Sequence, residues 1–256
     1  EIDIIWFVPS YAGILSVILV WVVFIFALVI STIITREGII SIIHGYIISG
    51  LVFLALWSHL KTMLTNPGTI PANAQPASDD SHRGRIRCGK CKCYKPPQAH
   101  HDSITGRCIS RMDFFCPCVN NIIGLRNQKH FLLFMFYSDI TALYLYVIFV
   151  IQLNYCNEVG CHPFSGSMVG LAWVVTLSMI VVLVLASFTL IIQLMGFSVG
   201  MGAIDRYMNG RAAILQSSCP PRQPIPWEHI FGFGPWYTYL LPLDPDFKQD
   251  ENVLKY

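Results

Sequence analysis

The chain has 256 residues, of which 54% are hydrophobic and 12% charged, with a formal net charge of +2. A soluble domain of this length would be about a quarter charged, so the composition excludes an ordinary water-soluble globule. The small net charge leaves no electrostatic footprint for nucleic acid, and no nucleic-acid partner is expected.

The apolar residues come in long blocks. Residues 4–35 contain no Asp, Glu, Lys or Arg. This exceeds the roughly 20 residues that cross about 30 Å of hydrocarbon, and a first transmembrane helix is expected near Ser10–Ile34. The block is too long for a cleavable signal peptide and lacks a basic leading region. The first residue is Glu1 rather than Met, which fits a truncated or processed chain. Arg36 and Glu37 form a polar turn, and Gly38–Leu60 supplies the second span. Residues 61–130 are polar and rich in Pro, Gly, Cys and basic side chains. Phe131–Asn154 and Met168–Leu194 read as the third and fourth spans. The sequence thus divides into 1–60 (helices 1 and 2), 61–130 (an insert), 131–195 (helices 3 and 4) and 196–256 (a tail). The fold class expected is an all-α polytopic membrane protein with a metal-ordered insert between helices 2 and 3.

Eleven Lys and Arg lie in residues 61–130 and five follow residue 196, against one, Arg36, in the other connections. The positive-inside rule puts the insert, the tail and both termini in the cytosol. Cys156 and Cys161 then flank a lumenal connection, as a disulfide or as two unpaired small residues. Asp139 falls inside the third span, about two turns from its start, where an ionisable side chain either serves a function or pairs near the interface.

Of nine cysteines, six fall between Cys88 and Cys118. The run Cys88-Gly-Lys-Cys91-Lys-Cys93 has the Cys-x2-Cys spacing with which two thiolates grip one metal. His101 and Cys108 complete a tetrahedral set, with Cys93 as a competing ligand. A Cys3His site has no open position and is structural. The insert has too few apolar residues to build its own core, so one zinc is the expected source of its order.

The next stretch, Arg111-Met-Asp113-Phe114-Phe115-Cys116-Pro117-Cys118-Val-Asn120-Asn121, makes the pattern specific. From Cys88 to Phe131 the sequence resembles the cysteine-rich domain of DHHC protein S-acyltransferases. Lys95, Pro96, His100, Met112, Asp113, Cys116, Pro117, Asn120, Asn121, Gly124 and Asn127 fit without a gap. Asn66-Pro67-Gly68 is similar to the family's Asp-Pro-Gly element. Four spans with the insert after the second is the family topology, and the Golgi-type branch is the nearest in character.

The resemblance implies transfer of a long acyl chain from palmitoyl-CoA or another acyl-CoA to cytosolic cysteines of membrane-associated client proteins. The carrier would be Cys116, with Asp113 as the motif acid. Lys95, Arg111 and Arg126 would meet the CoA phosphates. Thr141 would face the end of the chain in a cavity between the spans. A Golgi or endoplasmic reticulum membrane is the implied location. Three departures stand out. The motif reads Asp-Phe-Phe-Cys, so Phe114 replaces the presumed general base. The second zinc site of the family would use positions 102, 105, 115 and 122, which here are Asp102, Thr105, Phe115 and Ile122. Cys118 replaces a Trp. The same residues therefore also admit a catalytically impaired scaffold of the family. A transporter is disfavoured because no internal repeat is visible.

Overall fold

The computed structural model describes residues 6–71, 74, 87–96, 98–159, 166–207 and 224–247, with side chains throughout except at 156–159 and 166–168. The Cys156–Cys161 pairing lies outside the described residues. Four helices are long and apolar enough to cross a membrane: α1 (Tyr11–Arg36), α2 (Ile42–Leu64), α3 (Gln128–Val159) and α4 (Gly166–Val199). This is the expected all-α polytopic architecture.

Local chemistry sets the helix ends. Ser10 and Ser41 cap α1 and α2, each hydroxyl accepting from a backbone N–H in the first turn. At the other end of α1, Gly38 adopts φ 71°, while Gly38 N–H donates to Thr35 and Ile39 N–H to Ile34. This paired closure satisfies carbonyls that a helix end otherwise leaves open, and it needs a residue without a Cβ. The spans run further than charge alone indicates. Lys61 sits in the last turn of α2, so the helix extends to Leu64 instead of stopping at Leu60. A long basic side chain at a helix end keeps its charge outside the apolar layer. Likewise α3 begins at Gln128, before Phe131, with Lys129 and His130 buried inside its first turn.

Between α2 and α3, two short antiparallel pairs organise the insert. Strand β1 (His100–His101) pairs with β2 (Cys108–Ile109), and β3 (Phe114–Cys116) with β4 (Asn121–Ile123). A 3₁₀ turn, Pro117–Val119, joins β3 to β4. This second hairpin is part of the bundle. Cys116, Val119 and Ile123 share one apolar core with Phe24, Ile48, Phe131 and Leu145 of the helices. Gly13 makes the approach close: a Cβ there would overlap the Asn120 side chain.

The tail returns to the same end of the bundle. Two short helices, Glu228–Phe231 and Tyr237–Leu240, lie in it. Ile230 is fully buried with Leu132 of α3 and Phe197 of α4. The Tyr137 hydroxyl donates to the Leu240 carbonyl at 2.5 Å.

Candidate metal centre and thiol site

The insert is built around sulfur. Cys88, Cys91, His101 and Cys108 bring one ligand atom each to within 4.8 Å of all the others. Cys91 Sγ is 3.3 Å from Cys108 Sγ and 3.4 Å from His101 Nδ1, and Cys88 Sγ is 3.6 Å from that nitrogen. Atoms this close around a common centre match the edges of a tetrahedron with metal–ligand bonds of about 2.0–2.3 Å. The knuckle loop closes through Cys88 N–H to the Cys93 carbonyl and Lys92 N–H to the Cys88 carbonyl. The strand register His101↔Cys108 supplies the other two ligands together. Hydrogen bonding from the Cys91 backbone N–H pulls the Cys88 thiol down to about 6, toward the thiolate that binds metal. Cys93 Sγ lies 3.4 Å from Cys91 Sγ but stands outside this four-ligand set. Among the described residues, this is the single cluster that could hold a metal ion.

Where a second metal would sit, the chain has other structure. Asp102 Oδ2 accepts from Thr105 N–H at 2.6 Å and from its hydroxyl at 2.8 Å, a self-contained turn. Phe115 pairs across the strands with Ile122 and packs on Trp6, Val8, Ile109 and Met112. An apolar cluster and a side-chain turn have taken over the work of ligands.

The two other motif positions are also committed to packing. Phe114 lies edge-on to Phe131, with ring centres 5.7 Å apart. Asp113, 2% exposed, accepts from the Gln193 side chain of α4 at 2.6 Å and from the backbone N–H of Ala203. It therefore ties the insert to the end of α4. Nearby, His100 Nε2 is 2.9 Å from Asp205 Oδ1, a second bond between the insert and the chain after α4.

Cys116 ends β3 and is 8% exposed, while Cys118, in the following turn, is exposed. Two asparagines anchor the hairpin. Asn121 Nδ2 donates to the Thr62 and Thr65 carbonyls, each at 2.9 Å, at the open end of α2. Asn127 accepts from Gly124 N–H and donates to the Ile122 carbonyl. Asn66, standing where the family has Asp, accepts from the backbone N–H groups of Gly68 and Thr69. An amide oxygen makes the same turn as a carboxylate here.

The remaining sequence candidates are scattered around this centre. Arg111 is held by the His229 carbonyl at 2.9 Å and Gln128 at 3.2 Å, and burial brings its guanidinium down to about 10. Lys95 and Arg126 are half-buried. Thr141 is fully buried in α3, its hydroxyl donating to the Tyr137 carbonyl. Asp139 contacts Ser187 of α4, with one carboxylate oxygen left without a partner.

His59 is a site residue that the sequence gives no role. It is fully buried in α2, with Nε2 2.9 Å from the Cys118 carbonyl and Nδ1 receiving the Trp21 indole N–H at 3.1 Å. One signal was present: an ionisable side chain in an apolar block.

The fold and site define a multi-pass membrane protein whose metal-binding insert holds a cysteine hairpin in one mouth of a four-helix bundle. The model of the DHHC palmitoyltransferase family matches residues 82–210, and the chain belongs to that family. It is 37% identical over 173 residues to Palmitoyltransferase ZDHHC3 of Homo sapiens, covering 62% of this chain and 58% of that protein. Similarity to Palmitoyltransferase ZDHHC7 of Rattus norvegicus is 34% over 176 residues, 64% of this chain and 57% of the relative. Probable protein S-acyltransferase 12 of Arabidopsis thaliana is 36% identical over 152 residues, 51% of this chain and 52% of the relative. The chain spans somewhat over half the length of the first two relatives.

Proposed function

We propose that this chain is a protein S-acyltransferase that moves a long-chain acyl group, of palmitate type, from acyl-CoA to cysteines of membrane-associated proteins through an acyl-Cys116 intermediate. The observation that carries the reading is the place of Cys116. It is held at the end of a buried strand, inside the mouth of the bundle, by a hairpin that the family match covers. An acyl chain is apolar, so a thiol where a polar insert meets apolar helices can reach both a CoA head and its chain. The chemistry is two exchanges of thioester for thioester. A thiolate adds to the acyl-CoA carbonyl, CoA leaves as its thiol, and an acceptor cysteine then takes the acyl group.

In this reading zinc fills the Cys88, Cys91, His101 and Cys108 set and orders the insert. Three soft sulfurs and one imidazole with no open position suit a structural zinc. Lys95 and Arg126 meet the CoA phosphates as flexible surface cations. Arg111 acts beside them by holding the tail. Thr141 marks the depth that the acyl chain reaches. The insert, tail and termini face the cytosol, as the basic residues favour. Similarity to the ZDHHC3 and ZDHHC7 proteins supports a Golgi-type membrane, with the endoplasmic reticulum as the alternative.

A specific observation favours a second reading, a scaffold of the same family without turnover. Asp113 and Phe114, at the motif's acid and base positions, are occupied by Gln193 and Phe131. Loss of a general base costs about 10²- to 10⁴-fold in rate. The test is incubation of the purified full chain in detergent with labelled palmitoyl-CoA and an acceptor peptide carrying a cysteine. Acyltransfer predicts a hydroxylamine-sensitive adduct within the Cys116–Cys118 segment, and acceptor labelling that Cys116→Ala abolishes. An unlabelled protein that retains its zinc supports the scaffold.

A further inference from the structure

A thioester is opened by a thiolate, not by a thiol. Cys116 is badly placed to supply one. It is buried, it follows two phenylalanines, and its contact with Cys118, together with burial, pushes its thiol well above the ordinary cysteine value. Two residues on, the turn that starts at Pro117 brings a second sulfur against it. Cys118 is exposed. The Cys116 thiol donates to the Cys118 sulfur, and that bond, aided by the Cys118 backbone N–H, pulls Cys118 down to about 6. Charge in the pair therefore gathers on the sulfur that an incoming acyl-CoA can reach.

The turn is fixed from several sides. His59 and Trp21 hold the Cys118 carbonyl from α2 and α1. Because the indole N–H must donate, His59 Nδ1 is the acceptor, and Nε2 carries the hydrogen given to Cys118. Phe134 of α3 stacks edge-on to the imidazole, with ring centres 4.9 Å apart. Asn120 closes the turn at φ 47°, and its Nδ2 donates to the Val8 carbonyl at 2.8 Å. Both imidazole nitrogens of His59 are engaged, so it is a positioning residue.

We propose that Cys118, at the outer end of the Cys116-Pro117-Cys118 turn, takes the acyl group from acyl-CoA and passes it to Cys116. The inference rests on the acyltransferase reading and adds an entry nucleophile to it. In the first step the Cys118 sulfur bonds to the acyl carbonyl, the bond from that carbonyl to the CoA sulfur breaks, and the CoA thiolate leaves. In the second, the Cys116 sulfur displaces Cys118 from the same carbonyl. The Cys116 proton goes to the departing Cys118 sulfur or to water, and no oxidant or reductant takes part. The second step exchanges one thioester for another between atoms already in contact.

The test uses the full chain in detergent with palmitoyl-CoA, quenched at short times, with the acyl position mapped by mass spectrometry. The earliest thioester is expected on Cys118. Cys118→Ala should slow loading about tenfold or more, with zinc content and helical circular dichroism unchanged. Cys116→Ala should still load Cys118 but transfer poorly to the acceptor peptide. If Cys118→Ala loads Cys116 at the wild-type rate, or if the earliest label lies on Cys116, this inference falls and the acyltransferase reading stands. A wild-type protein that loads neither cysteine removes the acyltransferase reading itself, and this inference with it. Should Cys118→Ala fail to fold, the wild-type chain is alkylated with iodoacetamide at neutral pH. Cys118 must then react about tenfold faster than Cys116, and equal or reversed rates overturn the proposal.

Discussion

Phe114 and Phe115 show how a lost catalytic motif becomes packing. Their side chains alternate across strand β3, so Phe114 joins the bundle core and Phe115 the cluster around Ile109 and Ile122. The absence of the imidazoles was legible in the sequence, as were all four metal ligands, because spacing alone specifies them. The new neighbours were not, because the sequence separation between Phe115 and Trp6, or Asp113 and Gln193, carries no local signal. Two outcomes follow at this scale. Phe115→Cys should leave about one zinc per chain, since Asp102 and Thr105 already bond each other and Ile122 offers no ligand atom; metal analysis by mass spectrometry reads this. Asp113→Ala strands the Gln193 amide and the Ala203 N–H in a buried site, and each stranded donor costs about 1–3 kcal/mol. Thermal unfolding in detergent should show the loss, with Asp113→Asn milder because one acceptor remains.

Among the elements, the four helices were the most legible and their ends the least. A 20-residue apolar block announces a span, but Lys61 and Lys129 lie inside helices that charge counting would end earlier. The reason is tertiary: Asn121, 56–59 residues away, accepts the role of cap for α2 by donating to Thr62 and Thr65. The insert differs in kind. Its strands are two or three residues long, too short to be stable without support. The β1–β2 pair depends on the metal ligands, whereas β3–β4 is packed into the bundle. Chelating the metal should therefore unfold the first pair and leave the second. Hydrogen exchange should rise over residues 87–109 and change little over 114–123, while the far-UV helical signal persists. Cys108→Ala should reproduce the pattern, since it removes a ligand and a strand position together. A uniform rise across both hairpins would mean that the bundle does not hold the second one by itself.

At the level of the whole molecule, the tail is what joins insert and bundle into one body. It is also the part least legible in sequence, because its aromatic run fits a membrane interface as well as a docking segment. Arg111 reaches it from the insert at His229, Ile230 fills a pocket against Leu132 and Phe197, and Asp244 sits between Lys61 of α2 and His130 of α3, at 2.9 and 3.2 Å. His130, and then Lys61, hold the Asp244 carboxyl below the usual carboxylate range. A depressed folded value means that its stabilisation is present at neutral pH and is lost as pH falls below the ordinary carboxylate range. Its magnitude is limited, because Asp244 is largely exposed and such pairs contribute about 0–1 kcal/mol. Asp244→Ala should accordingly loosen the tail without unfolding the bundle. One kcal/mol corresponds to about a fivefold larger open population, so protease cleavage within residues 232–247 should speed up by up to about that factor. Lys61→Ala should give a smaller increase, because His130 still bonds the carboxylate. Arg111→Ala should act more strongly than either, since it removes a buried cation from two partners. If all three variants leave cleavage unchanged, Ile230 and the Tyr137–Leu240 bond hold the tail alone, and the charged contacts contribute nothing to its docking.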